Sequence, residues 1–145
     1  MDEIIFESSY RLINKYNQKS RKAKTYGTED LLYPAEVHML DVIGAHVKIT
    51  TTKLAEILGI TKGAVSQTTN KLLSKGLIEK NNSKERTNEV YITLSESGKQ
   101  IFDFHREKHA DMQKRIHEVI EDLSPESVEA IKQIIAIIDQ SLDEM

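Results

Sequence analysis

Apolar residues recur at three- and four-residue spacing along most of the chain, and the breaks in that rhythm mark its turns. Residues 3–19 carry Ile4, Ile5, Leu12, Ile13 and Tyr16 on a helical pattern, and the polar stretch 20–33 reads as a loop ending at "LLYP". Pro34 suits a first helical position. Behind it, "AEVHMLDVIG" sets Val37, Leu40 and Ile43 on one stripe up to Gly44, a candidate C-cap. "VKIT" is a short strand candidate, and Thr51 or Thr52 then caps "KLAEILG". Thr61 caps a further helix that runs to Lys75 and stops at Gly76. "LIEK" and "VYITL" predict a β-hairpin around the polar tip "NNSKERTNE", with Val90, Ile92 and Leu94 on its buried face. Ser95 caps a long helix from Glu96 to Leu123, and "SPES" opens a last one with Ser at N-cap and Pro at N1. In that helix Val128, Ile131, Ile135, Ile138 and Leu142 form one stripe. The predicted fold is mainly α with a small β wing.

The two short helices on either side of Gly59 pose a chemical question. With Val65 facing inward, steps of about 100° per residue bring Thr69 and Leu72 to the same side. Gly63, Gln67, Asn70 and Ser74 then face outward, flanked by Ser66 and Lys71, with no carboxylate among them. A merely solvated face in so acidic a chain would show Glu or Asp. Phosphate repulsion excludes them, and the DNA major groove is the partner such a face fits. Gln and Asn pair with adenine, Ser bonds to bases or phosphates, and the helix start at Thr61–Gly63 offers N–H groups to a phosphate. Lys62, Lys71 and Lys75 supply non-specific attraction. Lys84 and Arg86 at the hairpin tip suit a wing that reaches the minor groove.

Charge sharpens this picture. The net charge of −3 conceals an asymmetry: residues 48–86 hold eight Lys/Arg against three Glu, whereas 87–145 hold six basic against thirteen acidic residues. A basic middle between acidic ends fits a polyanion. The absence of cysteine excludes disulfides, thiolate zinc sites and cysteine redox sensing, and fits a cytoplasmic protein. The start "MDEIIFESSY" shows no signal-peptide pattern, and "IIAII" at 134–138 is too short to span a bilayer, so no membrane partner is expected.

The stretch "ITTTKLAEILGITKGAVSQTTNKLLSKGLIEK" followed by "VYITLSESGK" resembles the MarR family of winged-helix transcription regulators. The resemblance covers nearly the whole chain. It implies a winged helix-turn-helix domain over 34–95, flanked by dimerisation helices at 1–33 and 96–145. It also implies a homodimer, most often a repressor, on double-stranded DNA with a pseudo-palindromic operator. Carried across, the DNA contacts are Thr61, Lys62, Gly63, Ser66, Gln67, Asn70 and Lys71, with Lys84 and Arg86 in the wing. The wing departs from the family's Asp-x-Arg pattern: "SKERTNEVYITLS" has no Asp, and Arg86 lies two residues further out. Ile4 and Ile5 with Val128, Ile131, Ile135, Ile138 and Leu142 are the expected dimerisation residues.

Two regulatory readings stay open. His105 and His109 share a helix face at i, i+4 and, with His38, have the chemistry of a zinc-like site; their alternative role is hydrogen bonding across a helix junction. The family's commoner habit is a small anionic or aromatic effector, and no cofactor is required. Tyr10, Tyr16, Tyr26, Tyr33, Phe102 and Phe104 either line its pocket or belong to the core. Catalysis is not expected, since the chain has no cysteine, phosphate loop or nucleophile–base motif. A winged helix used only for protein contacts is the competing class.

Overall fold

The computed structural model describes residues 1–84 and 89–144. Its order is α1 (Asp2–Ser20), α2 (Pro34–Gly44), β1 (Ile49–Thr50), α3 (Thr51–Leu58), α4 (Lys62–Ser74), β2 (Ile78–Asn82), β3 (Val90–Leu94), α5 (Glu96–Glu121) and α6 (Pro125–Asp143). The fold is thus mainly helical with one small antiparallel sheet, ordered β1-β3-β2. The chain divides into two compact units: residues 17–108, and residues 1–16 together with 109–145.

The larger unit is the winged-helix body. Its core joins Leu40 and Ile43 of α2, Leu54 of α3, Val65 and Leu72 of α4, and Ile92 of β3, all essentially inaccessible to water. The sheet is in register with Ile49 and Lys80 both opposite Ile92, and Ile78 opposite Leu94. Alternation along β3 holds only in part: Ile92 is buried, Leu94 partly so, and Val90 is exposed.

Two helix caps differ from what the local sequence predicts. Thr50, not Thr51 or Thr52, caps α3, its Oγ1 accepting from the Lys53 N–H at 3.2 Å. Three threonines in a row offer the same chemistry, and the strand pairing of Thr50 with Tyr91 decides among them. Gly44 is no left-handed cap, since Ala45 caps α2 in the right-handed conformation. Glycine stands there because a Cβ would meet the Phe102 ring at 2.5 Å. The exit from the wing is latched in a similar way. Ser95 Oγ donates to the Gly76 carbonyl at 2.6 Å and accepts from the Gly98 N–H at 3.1 Å. A Cβ on Gly98 would collide with the Leu77 carbonyl oxygen.

The smaller unit contains most of α1, the second half of α5 and all of α6. Ser124 caps α6 by accepting from the Ser127 N–H at 3.2 Å, with Pro125 next in line. Neither α1 nor α6 contains a buried residue. Ile4, Ile5, Ile131, Ile135 and Leu142 are exposed, while Val128 and Ile138 are half-buried. A groove of about 870 Å³ runs between α5 and α6, lined by Met112, Ile116, Val119, Val128, Ile131 and Ile135 among others. Among the described residues, no helix is long and apolar enough to cross a membrane.

Candidate nucleic-acid interface

The turn between α3 and α4 is built by Gly59, whose φ of 64° is the left-handed conformation a glycine adopts freely. Its neighbour Ile60 donates its N–H to the Ala55 carbonyl at 3.2 Å, ending α3. Thr61 then starts α4, with its Oγ1 accepting from the Ala64 N–H at 3.1 Å. On α4, Val65, Thr69 and Leu72 are buried. Thr69 joins the apolar side because its hydroxyl donates to the Ser66 carbonyl at 3.1 Å, so no bare polar group is buried. Lys62, Gly63, Ser66, Gln67, Asn70, Lys71 and Ser74 are all exposed, as is Thr61. The helix therefore separates an apolar side from one of amides, hydroxyls, a glycine and lysines.

Gly63 carries information about what lies outside the chain. A Cβ there would find only Thr61 Oγ1, at 3.8 Å, so the folded chain has room for a larger residue. Glycine inside a helix costs about 1 kcal/mol relative to alanine. Among the described residues, nothing requires that cost.

Two lysines behave in ways the sequence does not reveal. Lys75, expected among the attracting cations, is a brace. Its Nζ lies 2.9 Å from Oε1 of Glu36, a carboxylate only 4% exposed, and donates to the Leu31 carbonyl at 3.1 Å. The other oxygen of Glu36 accepts from the Tyr33 N–H at 2.8 Å. The pair ties the end of α4 to the start of α2. Lys80, on β2, donates to Asn70 Oδ1 at 2.9 Å. Both partners are remote in sequence, so no local pattern announces them.

Toward the wing, the Ser83 N–H donates to the Glu89 carbonyl at 2.8 Å, and Lys84 is exposed. Arg86 lies outside the described residues. Lys48 sits over the Tyr91 ring at 4.3 Å, and the Tyr91 hydroxyl donates to Glu89 at 2.8 Å, which props β3 beside β1.

Among the described residues, no three His, Asp or Glu side chains are grouped to hold a metal ion. His38 is exposed, whereas His105 Nδ1 meets Asp41 Oδ2 at 2.6 Å and its ring lies edge-on to Tyr26 at 5.8 Å. His105 thus links α5 to α2 within the larger unit, a contact across a helix junction. His109 falls in the smaller unit. Of the aromatic residues, Phe102 is buried against Gly44, and Phe104 packs on Gly27. Tyr26 packs on the core, while Tyr10, Tyr16 and Tyr33 are exposed.

Residues 32–86, from the core residue Leu32 through the hairpin tip, match the sequence model of the MarR family. Over these residues the chain is similar to the MarR family. Among similar proteins of Bacillus subtilis (strain 168) is the uncharacterized HTH-type transcriptional regulator YhjH, 30% identical over 90 residues. That match takes in 62% of this chain and 51% of YhjH, so it spans about half of that relative's length. A second is the HTH-type transcriptional regulator PchR, 23% identical over 150 residues, covering 97% of this chain and 89% of PchR. In fold, the chain resembles Streptococcus pneumoniae FabT, whose crystal structure is in complex with DNA. The TM-score is 0.68 at 24% identity, over 99% of each chain. The exposed side of α4 lies within the residues that match the MarR family model.

Proposed function

We propose that this chain is a sequence-specific transcriptional repressor that binds a pseudo-palindromic operator as a homodimer. One observation carries the DNA contact: the outward side of α4 presents Lys62, Gly63, Ser66, Gln67, Asn70 and Lys71 to solvent, without a carboxylate. In a helix-turn-helix the second helix enters the major groove, and its first turns meet base edges. Thr61 and Lys62 stand at the phosphate, Gly63 permits close approach of the sugar, and Gln67 and Asn70 face the bases. Lys84 and Arg86 extend the contact along the wing.

Dimerisation rests on a separate observation. The long helix α6 has a branched-apolar stripe and no buried residue, and Ile131, Ile135 and Leu142 remain open to water. Contiguous apolar surface of that kind marks an interaction site. A second copy would cover it and present two α4 helices to half-sites about 34–36 Å apart. Modulation by a small anionic or aromatic effector belongs to the same proposal, and a panel of aromatic carboxylates tested for loss of operator binding examines it.

A salt-titrated gel shift on the DNA upstream of the chain's own gene tests the proposal. Binding that weakens steeply with salt is expected, because each neutralised phosphate releases a counterion. Absence of salt-sensitive binding would favour a winged helix specialised for protein contacts.

A further inference from the structure

Asn70 is not a free amide. Lys80 reaches it from β2, on the same side of that strand as the buried Ile78, and holds Asn70 Oδ1 at 2.9 Å. The assignment of oxygen and nitrogen follows from the partner. A lysine ammonium only donates, so the amide atom facing it must be the acceptor. The backbone of Lys80 is fixed by its pairing opposite Ile92, the most buried position of β3. The sheet therefore sets where this donor stands relative to α4.

We propose that Lys80 is a specificity-determining positioning residue, which decides what Asn70 offers to the DNA. This rests on the major-groove placement of α4. An unconstrained Asn pairs with adenine through two bonds, Oδ1 accepting from N6 and Nδ2 donating to N7. Lys80 occupies one of the two Oδ1 lone pairs and sets a positive charge against the other, so the group Asn70 presents most strongly to the groove is the Nδ2 donor. Asn70 then selects base edges rich in acceptors, guanine O6 and N7 or thymine O4, over the adenine edge. The positive charge of Lys80, held beside the amide, also makes Nδ2–H a stronger donor.

Selection of duplexes from a randomised pool, followed by affinity measurements on those selected, tests this with wild type, Lys80→Met, Lys80→Arg, Asn70→Ala and the Asn70→Ala/Lys80→Met double variant. Lys80→Met is expected to shift preference toward adenine at one position per half-site, by about ten-fold. Lys80→Arg keeps a donor and should retain the wild-type preference. In the Asn70→Ala background, Lys80→Met should cause no further change in base preference. A uniform loss of affinity on all duplexes, with the salt slope reduced by about 1, would overturn the proposal and make Lys80 a plain phosphate contact. Unchanged preference in Lys80→Met would overturn it too. A wild-type protein that selects no duplex would instead remove the groove placement itself, which distinguishes the two failures.

Discussion

At the scale of single residues, the outward side of α4 separates into groups with different expected signatures. Gln67→Ala should cost about 1–3 kcal/mol on the preferred duplex and relax the choice of base at one position, read by competition between duplexes. Lys71→Ala should instead weaken all duplexes alike and lower the salt slope by about 1. Gly63→Ala is the most diagnostic substitution, because the two effects should run in opposite directions. The folded chain has room for the methyl group, so thermal or urea unfolding should show a gain of about 0.5–1 kcal/mol. DNA affinity should fall, because the added Cβ occupies space meant for the backbone of the nucleic acid. The division of α4 into a buried and an exposed side was legible in the sequence because a helix repeats every 3.6 residues, so one inward residue, Val65, fixes the direction of all the others. Lys75 and Lys80 were not legible. Their partners, Glu36 and Asn70, lie 39 and 10 residues away, and periodicity within one element contains no such information.

At the scale of elements, junctions hold the recognition helix in place. The Glu36–Lys75 pair joins α4 to α2, and Lys75→Met would leave a buried carboxylate without its cation, at about 1–3 kcal/mol in urea unfolding. The end of α4 is further fixed by the Ser95–Gly98 latch, where a methyl group has no room beside the Leu77 carbonyl. Gly98→Ala should accordingly destabilise the fold by about 1–3 kcal/mol. Ser124→Ala should cost about 1 kcal/mol through the lost cap. The Glu126 carboxyl is held below its ordinary value by its own backbone N–H and by the Ser124 hydroxyl. A lowered folded-state value stabilises above the unfolded value and loses that contribution as pH falls through the folded one. The gap between wild type and Ser124→Ala should therefore narrow on acidification below the usual carboxylate range. Glycine shows where element-level reading of the sequence falls short. Gly59 and Gly76 carry positive φ as turn residues, whereas Gly44 looks the same in sequence but is required by the Phe102 ring, a non-local neighbour.

At the scale of the whole molecule, the balance of buried and exposed apolar surface differs sharply between the units. The winged-helix body closes its own core, while α1 and α6 bury nothing completely. Helices of that kind seldom persist alone in water, because their stability comes from packing an apolar face. Sedimentation equilibrium should accordingly show a dimer, and Ile135→Glu, placed on the open stripe, should shift it to monomer and lower operator affinity, since one head then binds without the other. The charge asymmetry belongs to this scale as well: a basic centre between acidic ends favours a polyanion at residues 48–86 over the termini.

The central claim is that α4 meets duplex DNA with its amide- and lysine-bearing side. Fluorescence anisotropy of a labelled, selected duplex, recorded across a potassium chloride series for wild type and Lys71→Ala, tests it most directly. The expected result is a linear fall of log affinity with log salt, with a slope shallower by about 1 in the variant. Salt-independent association, or identical slopes for the two proteins, would contradict it.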